Sequence, residues 1–317
     1  MEEISSKRVK QALKVAHYYY QGNMDQSKIA QEMGLSRPTV SRLLQLARDN
    51  GYVKIEIKDP FEDVYYLEQQ LEKKYQLQRA IVVYAPSSDY QTIIQKIGQA
   101  TADYLQKIVT DDDIIGVTWG KTLREIAISL NPDTNHQQNV RIVQLKGGVT
   151  HSMTDNFASE VMRDFTQAFH AKSDSLPLPV IFDNAKTKEL VTEDRHIQYV
   201  IQQGQKANIA VFTVGTVYDD AMLFKLDYLD EKEIMKLKKE SVGDISSRFI
   251  KADGEIADEG INRRTIGIEL DELRQKKHAI LVAGGARKLA AIRGALVGQY
   301  ANTLVIDEGT ARLLLAE

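Results

Sequence analysis

Four stretches of this sequence set a glycine beside a lysine, arginine or threonine where an apolar run ends. They are Gly120-Lys121-Thr122 after IIGVTW, Lys146 with Gly147-Gly148 after RIVQL, Gly215-Thr216 after IAVFTV, and Gly284-Gly285 with Arg287 and Lys288 after AILVA. Glycine lets a backbone approach an anion closely, a helix start behind it presents unpaired N–H groups, and flanking cations add charge. That combination binds phosphate. Taken singly, a glycine after a strand is ordinary turn chemistry. Taken together, the junctions combine strand end, small residue and donor four times over, and two of them with strong bases suit one phosphorylated ligand. None matches GxGxxG or GxxxxGK[ST], which disfavours nicotinamide cofactors and nucleoside triphosphates, and no cofactor is expected. Asp183, Asn184 and Asp244 stand at loop positions where they could take ligand hydroxyls, and Trp119 suits a core role better than stacking on a ligand.

A second group of donors lies near the N-terminus. Ser36, Arg37, Thr39, Ser41, Arg42 and Gln45 fall on or beside the polar side of a segment whose Val40, Leu43, Leu44 and Ala47 repeat at i, i+3, i+4, i+7. Donors on one side of a short helix are what base edges and phosphates require. Just upstream, Asp25 suits an N-cap, Ile29, Ala30 and Met33 point inward, Gly34 permits a tight turn, and Ser36 caps the next helix with Pro38 in its first turn. Gly51 then ends that helix, and Tyr52–Ile57 alternates as a short wing strand. The pattern is a winged helix-turn-helix, and double-stranded DNA is its expected partner. Charge agrees: residues 1–58 carry net +4 and the remainder net −7.

At 317 residues, the chain accommodates a small DNA-binding domain and one of enzyme size. The boundaries expected are 1–58 for the helix-turn-helix domain, 59–78 for a charged helix ending near Tyr75 and 79–317 for the larger domain. Spacing alone leaves the charged helix open as a linker or as the first helix of that domain. Beyond Arg79, short apolar runs alternate with amphipathic helices, the mark of a mostly parallel α/β sheet. Strands are expected over 80–85, 113–119, 140–145, 179–182, 208–214, 279–283 and 303–306, with helices between them. Ligands of such sheets bind beyond the strands' carboxyl ends, where the glycine junctions fall. The chain has no cysteine, and its His residues at 17, 136, 151, 170, 196 and 278 lack metal-ligand spacing, so no metal site is expected. No signal core and no membrane-length apolar run is evident, which points to the cytoplasm and to no membrane partner.

The motifs SRPTVSRLLQ, GYVKIEIKDPFED, VTWGKT, IVQLKGGVTHS, LPLPVIFDNA, DRHI, ANIAVFTVGTV, RTIGIEL and ILVAGGARK resemble the SorC family of bacterial sugar-responsive transcriptional regulators, most closely its deoxyribonucleoside branch. The match spans nearly the whole chain. It implies an operator-binding domain and an effector domain similar to sugar-phosphate isomerases and deaminases. It also implies deoxyribose 5-phosphate or a related phosphosugar as inducer, repression of nucleoside-catabolic genes, and a homo-oligomer, dimer or tetramer. Glycolytic-gene regulators of the family carry Arg where this chain has Lys146. A lysine, unlike an arginine, can form an imine with an aldehyde sugar if its pKa is lowered; otherwise it serves as a point charge. The rival reading is an isomerase- or deaminase-like enzyme with an accessory DNA-binding domain.

Overall fold

The computed structural model describes residues 6–53, 60–85, 89–134 and 136–316. Between Asp59 and Pro60 the chain divides into two units. In the smaller unit, α1 (Ser6–Ala16) leads through a π-helical turn, His17–Gln21, to α2 (Gln26–Met33) and α3 (Arg37–Asp49). The Asp25 carboxylate caps α2 by accepting from the backbone N–H groups of Lys28 and Ser27, each at 2.9 Å. Those bonds, the one from Lys28 above all, hold its carboxyl below the ordinary range. Gly34 takes φ +63°, and the Ser36 hydroxyl accepts from the Thr39 N–H at 3.4 Å, so both expected helix starts and the turn between them are present. Val40, Leu43, Leu44 and Ala47 are buried against Ile29 and Ala30 of α2. They also meet Ala12 and Val15 of α1, a helix that the sequence pattern did not separate from the N-terminal segment. Of the expected wing, Tyr52 and Val53 belong to the turn that closes α3, with the Tyr52 N–H donating to the Ala47 carbonyl at 2.9 Å; residues 54–59 lie outside the described residues.

The larger unit runs α4 (Pro60–Tyr75), β1 (Arg79–Val83), α5 (Tyr90–Ile108), β2 (Ile114–Val117), α6 (Lys121–Ser129), β3 (Arg141–Gln144), α7 (Ala158–Ala168), β4 (Lys172–Asp174), α8 (Ala185–Thr192) and α9 (Arg195–Lys206). It continues β5 (Ile209–Phe212), β6 (Val214–Gly215), α10 (Glu231–Glu240), β7 (Gly243–Ile245), β8 (Arg248–Ile250), α11 (Glu259–Arg264), α12 (Leu270–Arg274), β9 (His278–Val282), α13 (Leu289–Val297), β10 (Thr303–Asp307) and α14 (Glu308–Ala316). A seven-stranded sheet has the order β1-β10-β9-β5-β2-β3-β4, and every pairing in it is parallel. Helices cover both faces, so the central strands are apolar throughout: Ile209, Ala210, Val211 and Phe212 of β5 are all fully buried.

Helix α4 belongs to this unit. Its Leu67 and Leu71 pack with Ala80 and Val82 of β1 and Leu314 of α14, and its Glu72 and Glu68 accept from the backbone N–H groups of Ala80 and Val82 at 2.9 and 3.0 Å. One expected strand needs correction. Pro179–Phe182 is no ladder strand; it makes a single bridge, Ile181 to Thr265, because the partner segment then turns to Lys146, with the Ile266 carbonyl accepting from the Gly147 N–H and the Ile268 N–H donating to the Leu145 carbonyl. The outermost strand is instead β4, whose polar Lys172–Asp174 gave no apolar signal. A small antiparallel sheet, β6-β7-β8, was also unforeseen, since strands of two or three residues carry no readable period.

Candidate effector site

Strands β2 and β5 are neighbours whose chains leave in opposite directions, β2 toward β3 and β5 toward β9, which opens a crevice at their carboxyl ends. A cavity of 590 Å³ lies at these strand ends. Gly120, Lys121, Thr122, Lys146, Gly215, Thr216, Gly284, Gly285, Arg287 and Lys288 all line it. Gly147 and Gly148 do not. A side chain on Gly147 would lie 2.5 Å from the Leu178 carbonyl oxygen, and one on Gly148 would lie 2.8 Å from the Ala158 methyl, so this pair is glycine for close packing behind the wall. Of the residues expected in loops to take ligand hydroxyls, Asp244 reaches the cavity but from strand β7 rather than a loop, whereas Asn184 caps α8 by accepting from the Thr187 N–H at 2.8 Å.

Lys146 forms the floor. Its side chain is nearly covered, its Nζ lies 3.6 Å from the Trp119 ring centroid, and it donates to the Ser247 hydroxyl at 3.0 Å. The Trp119 indole N–H donates in turn to the Gly147 carbonyl at 2.7 Å, which fixes the ring under the ammonium. Burial lowers the Lys146 pKa from 10.5 to about 8, with the Asp244 carboxylate partly opposing. Burial likewise pushes the Asp244 carboxyl up, against the pull of Lys146. One Asp244 oxygen accepts from the Ser247 N–H at 2.9 Å. The other lies where a Cβ on Gly215 would sit, 1.9 Å from it, so glycine at 215 is a condition for this carboxylate's position.

Ser246 and Ser247 make the two-residue turn between β7 and β8, both at positive φ, +51° and +72°, in a conformation that Asn-Gly ordinarily fills. Arg248 anchors the hairpin from beneath, 1% exposed, donating to the carbonyls of Ile268 and Gly267 at 2.9 and 3.3 Å and to the Glu269 carboxylate at 2.6 Å. An amine buried as Lys146 is carries more of its neutral form near neutral pH than an exposed lysine does.

The two basic junctions differ in construction. Gly120, at φ +124°, precedes α6 without any side-chain cap, leaving the first-turn N–H groups of Lys121 and Thr122 for a ligand. Gly285, at φ +87°, is held from below: its N–H donates to Asp307 Oδ1 and to the Thr310 hydroxyl, each at 2.8 Å. A Cβ on Gly284 would lie 2.4 Å from that same carboxylate. Here a 3₁₀ turn, Ala286–Lys288, precedes α13 and carries Arg287 and Lys288. Lys288 Nζ donates to the Thr213 hydroxyl at 3.3 Å, and Arg287 is bound to Asp220. Asp220, Ser247, Asp307 and Thr310 were not evident in the sequence; none lies beside a glycine pair to draw notice.

On the smaller unit, Ser36, Arg37, Ser41, Arg42 and Gln45 are exposed and Thr39 is half-buried, opposite the packed stripe of α3. Gln45 donates to Asp49 and accepts from Arg48, both at 2.7 Å, so Arg48 joins the exposed donors of this helix.

A helix-turn-helix unit in one chain with a parallel α/β unit, whose crevice is ringed by cations, defines a ligand-responsive DNA-binding regulator. The Sugar-bind family model, which describes a sugar-binding domain, matches residues 59–316. The deoxyribonucleoside regulator of Bacillus subtilis is 49% identical over 310 residues, covering 97% of this chain and 98% of that protein. The sorbitol operon regulator of Klebsiella pneumoniae is 29% identical across 98% of this chain and 99% of its own length. The crystal structure of that full-length regulator aligns with a TM-score of 0.75 at 28% identity, over 99% of this chain and 100% of the other. A DeoR family transcriptional regulator from Listeria monocytogenes aligns over 79% of this chain and 99% of its own, with a TM-score of 0.72 at 26% identity. The chain belongs to the SorC family of sugar-binding transcriptional regulators, and it is a regulator rather than an isomerase or deaminase. Among the described residues, no helix is long and apolar enough to cross a membrane.

Proposed function

We propose that this protein is a cytoplasmic repressor of deoxyribonucleoside catabolism that releases its operator when deoxyribose 5-phosphate enters the cavity. Ser36, Arg37, Thr39, Ser41, Arg42 and Gln45 read the operator, and a homo-oligomer, dimer or tetramer, brings paired recognition helices to paired half-sites. The phosphate is held by the Gly120-Lys121-Thr122 helix start and by Gly284, Gly285, Arg287 and Lys288, with Gly215 and Thr216 beside the sugar. The observation that carries this reading is Lys146, a buried amine with a pKa of about 8 at the floor of a cavity rimmed with cations. Its relative at 49% identity, named for deoxyribonucleosides, narrows the sugar.

A 2-deoxy sugar lacks the hydroxyl that would distinguish ribose 5-phosphate by hydrogen bonding, so discrimination falls to a close-fitting pocket or to the open-chain aldehyde, and Lys146 is placed to use the aldehyde. The neutral Lys146 amine adds to C1, the carbinolamine loses water, and the resulting imine, once protonated, has Asp244 as its counter-charge. Ligand binding need favour the DNA-free state by only about 1–3 kcal/mol to switch the gene. Sodium borohydride added with deoxyribose 5-phosphate should leave a reduced adduct on Lys146, found by peptide mass spectrometry, and Lys146→Arg should abolish it while preserving operator binding. A thermal shift by the sugar phosphate without any adduct would return Lys146 to the role of a point charge.

A further inference from the structure

Arg287 lines the cavity with its guanidinium already engaged. Its two terminal nitrogens donate to the two carboxylate oxygens of Asp220 at 2.9 and 2.6 Å, and the cation stacks 4.8 Å from the centroid of the Tyr218 ring. This two-pronged arrangement is the one a guanidinium uses for phosphate, so Asp220 offers Arg287 the same pair of oxygens that a phosphorylated ligand would. Asp220 is not carried on a loose loop. Immediately after it, Ala221 and Leu223 are 6% and 5% exposed, and Leu226 is fully buried. Before it, Asp219 is paired with Lys238. The neighbouring Lys288 meets a neutral hydroxyl, that of Thr213, at 3.3 Å. Of two consecutive cations at one glycine junction, one is therefore held in a two-pronged ion pair, while the other acts on the Asp244 carboxylate only through space. Asp220 and Arg287 line both the 590 Å³ cavity and an adjoining 570 Å³ hollow.

We propose that Asp220 is a built-in competitor for the ligand's phosphate, one that must yield Arg287 before a phosphosugar is fully held and so sets the affinity threshold of the site. The inference rests on the phosphate reading of Gly284–Lys288 given above. A penalty shared by every anion lowers the occupancy of a weak, abundant one in proportion, while a ligand that also engages Lys146 still saturates the site. Inorganic phosphate is thereby kept from acting as an inducer.

Calorimetric titration of the intact protein with inorganic phosphate, and separately with deoxyribose 5-phosphate, tests this. Asp220→Asn should bind inorganic phosphate about fivefold more tightly than wild type, equivalent to about 1 kcal/mol, the upper value for an exposed ion pair. Asp220→Ala, which cannot hydrogen-bond to the guanidinium, should show at least as large a gain. Adding Arg287→Ala to either variant should erase it. If wild type binds the phosphosugar but both Asp220 variants bind either ligand no better than wild type, the competitor is overturned and the phosphate reading stands. If Arg287→Ala and Lys288→Ala leave phosphosugar affinity intact, or no phosphorylated ligand binds wild type, both are overturned.

Discussion

Arg37 and Arg42 stand in water on a helix whose opposite side is packed, whereas Lys146 is 5% exposed, stacked on Trp119 and tied to Ser247. Both regions present cations, yet their surroundings give them different physics. An exposed cation keeps its hydration and contributes through many modest, salt-screened interactions. A buried one has lost that hydration, and the loss appears as altered ionisation and hence as reactivity. Charge alone would have made the two equivalent; burial is what separates them.

The sharpest separation of the two comes from the core of the smaller unit. Leu44 is 3% exposed within the three-helix cluster, so Leu44→Ala should cost about 2–5 kcal/mol, abolishing operator binding while the phosphosugar still shifts the melting of the larger unit. Loss of both functions together in a calorimetric scan would erase the distinction between the units. Next in size, Arg42→Ala should weaken operator affinity by about 1–3 kcal/mol for each base edge that the arginine reads, and relax preference at one or two positions, followed by titration at fixed salt. Unchanged affinity in both Arg37→Ala and Arg42→Ala would remove α3 from the operator.

pH should distinguish the regions as well. Lys146, with a folded-state pKa of about 8 against an ordinary 10.5, gains its neutral form as pH rises, so borohydride trapping should quicken about fivefold between pH 7 and 8. The same displacement disfavours folding while the buried amine must carry its proton, a cost present below about pH 8 and relieved as pH rises toward 10.5. A trapping rate flat over this range would mean that Lys146 is no nucleophile. The smallest effect belongs to a cap: Asp25→Ala removes the acceptor for the Ser27 and Lys28 N–H groups and should lower the urea midpoint of the smaller unit slightly, without changing the phosphosugar's effect on the larger one.

The helix-turn-helix was legible because its determinants are local: Asp25, Gly34, Ser36 and the Val40–Ala47 stripe lie within a few residues of the groups they act on. The strand-end glycine junctions were legible for a related reason, since a parallel sheet delivers all its carboxyl ends to one edge. What escaped was partnership across distance. Ser247 meets Lys146 across 101 residues and Asp220 meets Arg287 across 67, and a serine or aspartate in a loop carries no local mark of such a role. Asp244 stood out only as a carboxylate in a loop. Its place beneath Gly215 depends on the β6-β7 pairing, which such short strands conceal.

One consequence of α4 concerns the margin of the large sheet. Strand β1 is the terminal strand on that side, and the outward N–H groups of Ala80 and Val82 would be a template for another chain were they not already taken by Glu72 and Glu68. Two glutamates thus act as a seal against edge-to-edge aggregation. A chain shortened to begin beyond Tyr75 would lose more than a helix, since it would display a bare β margin able to recruit a neighbour and would be prone to precipitate.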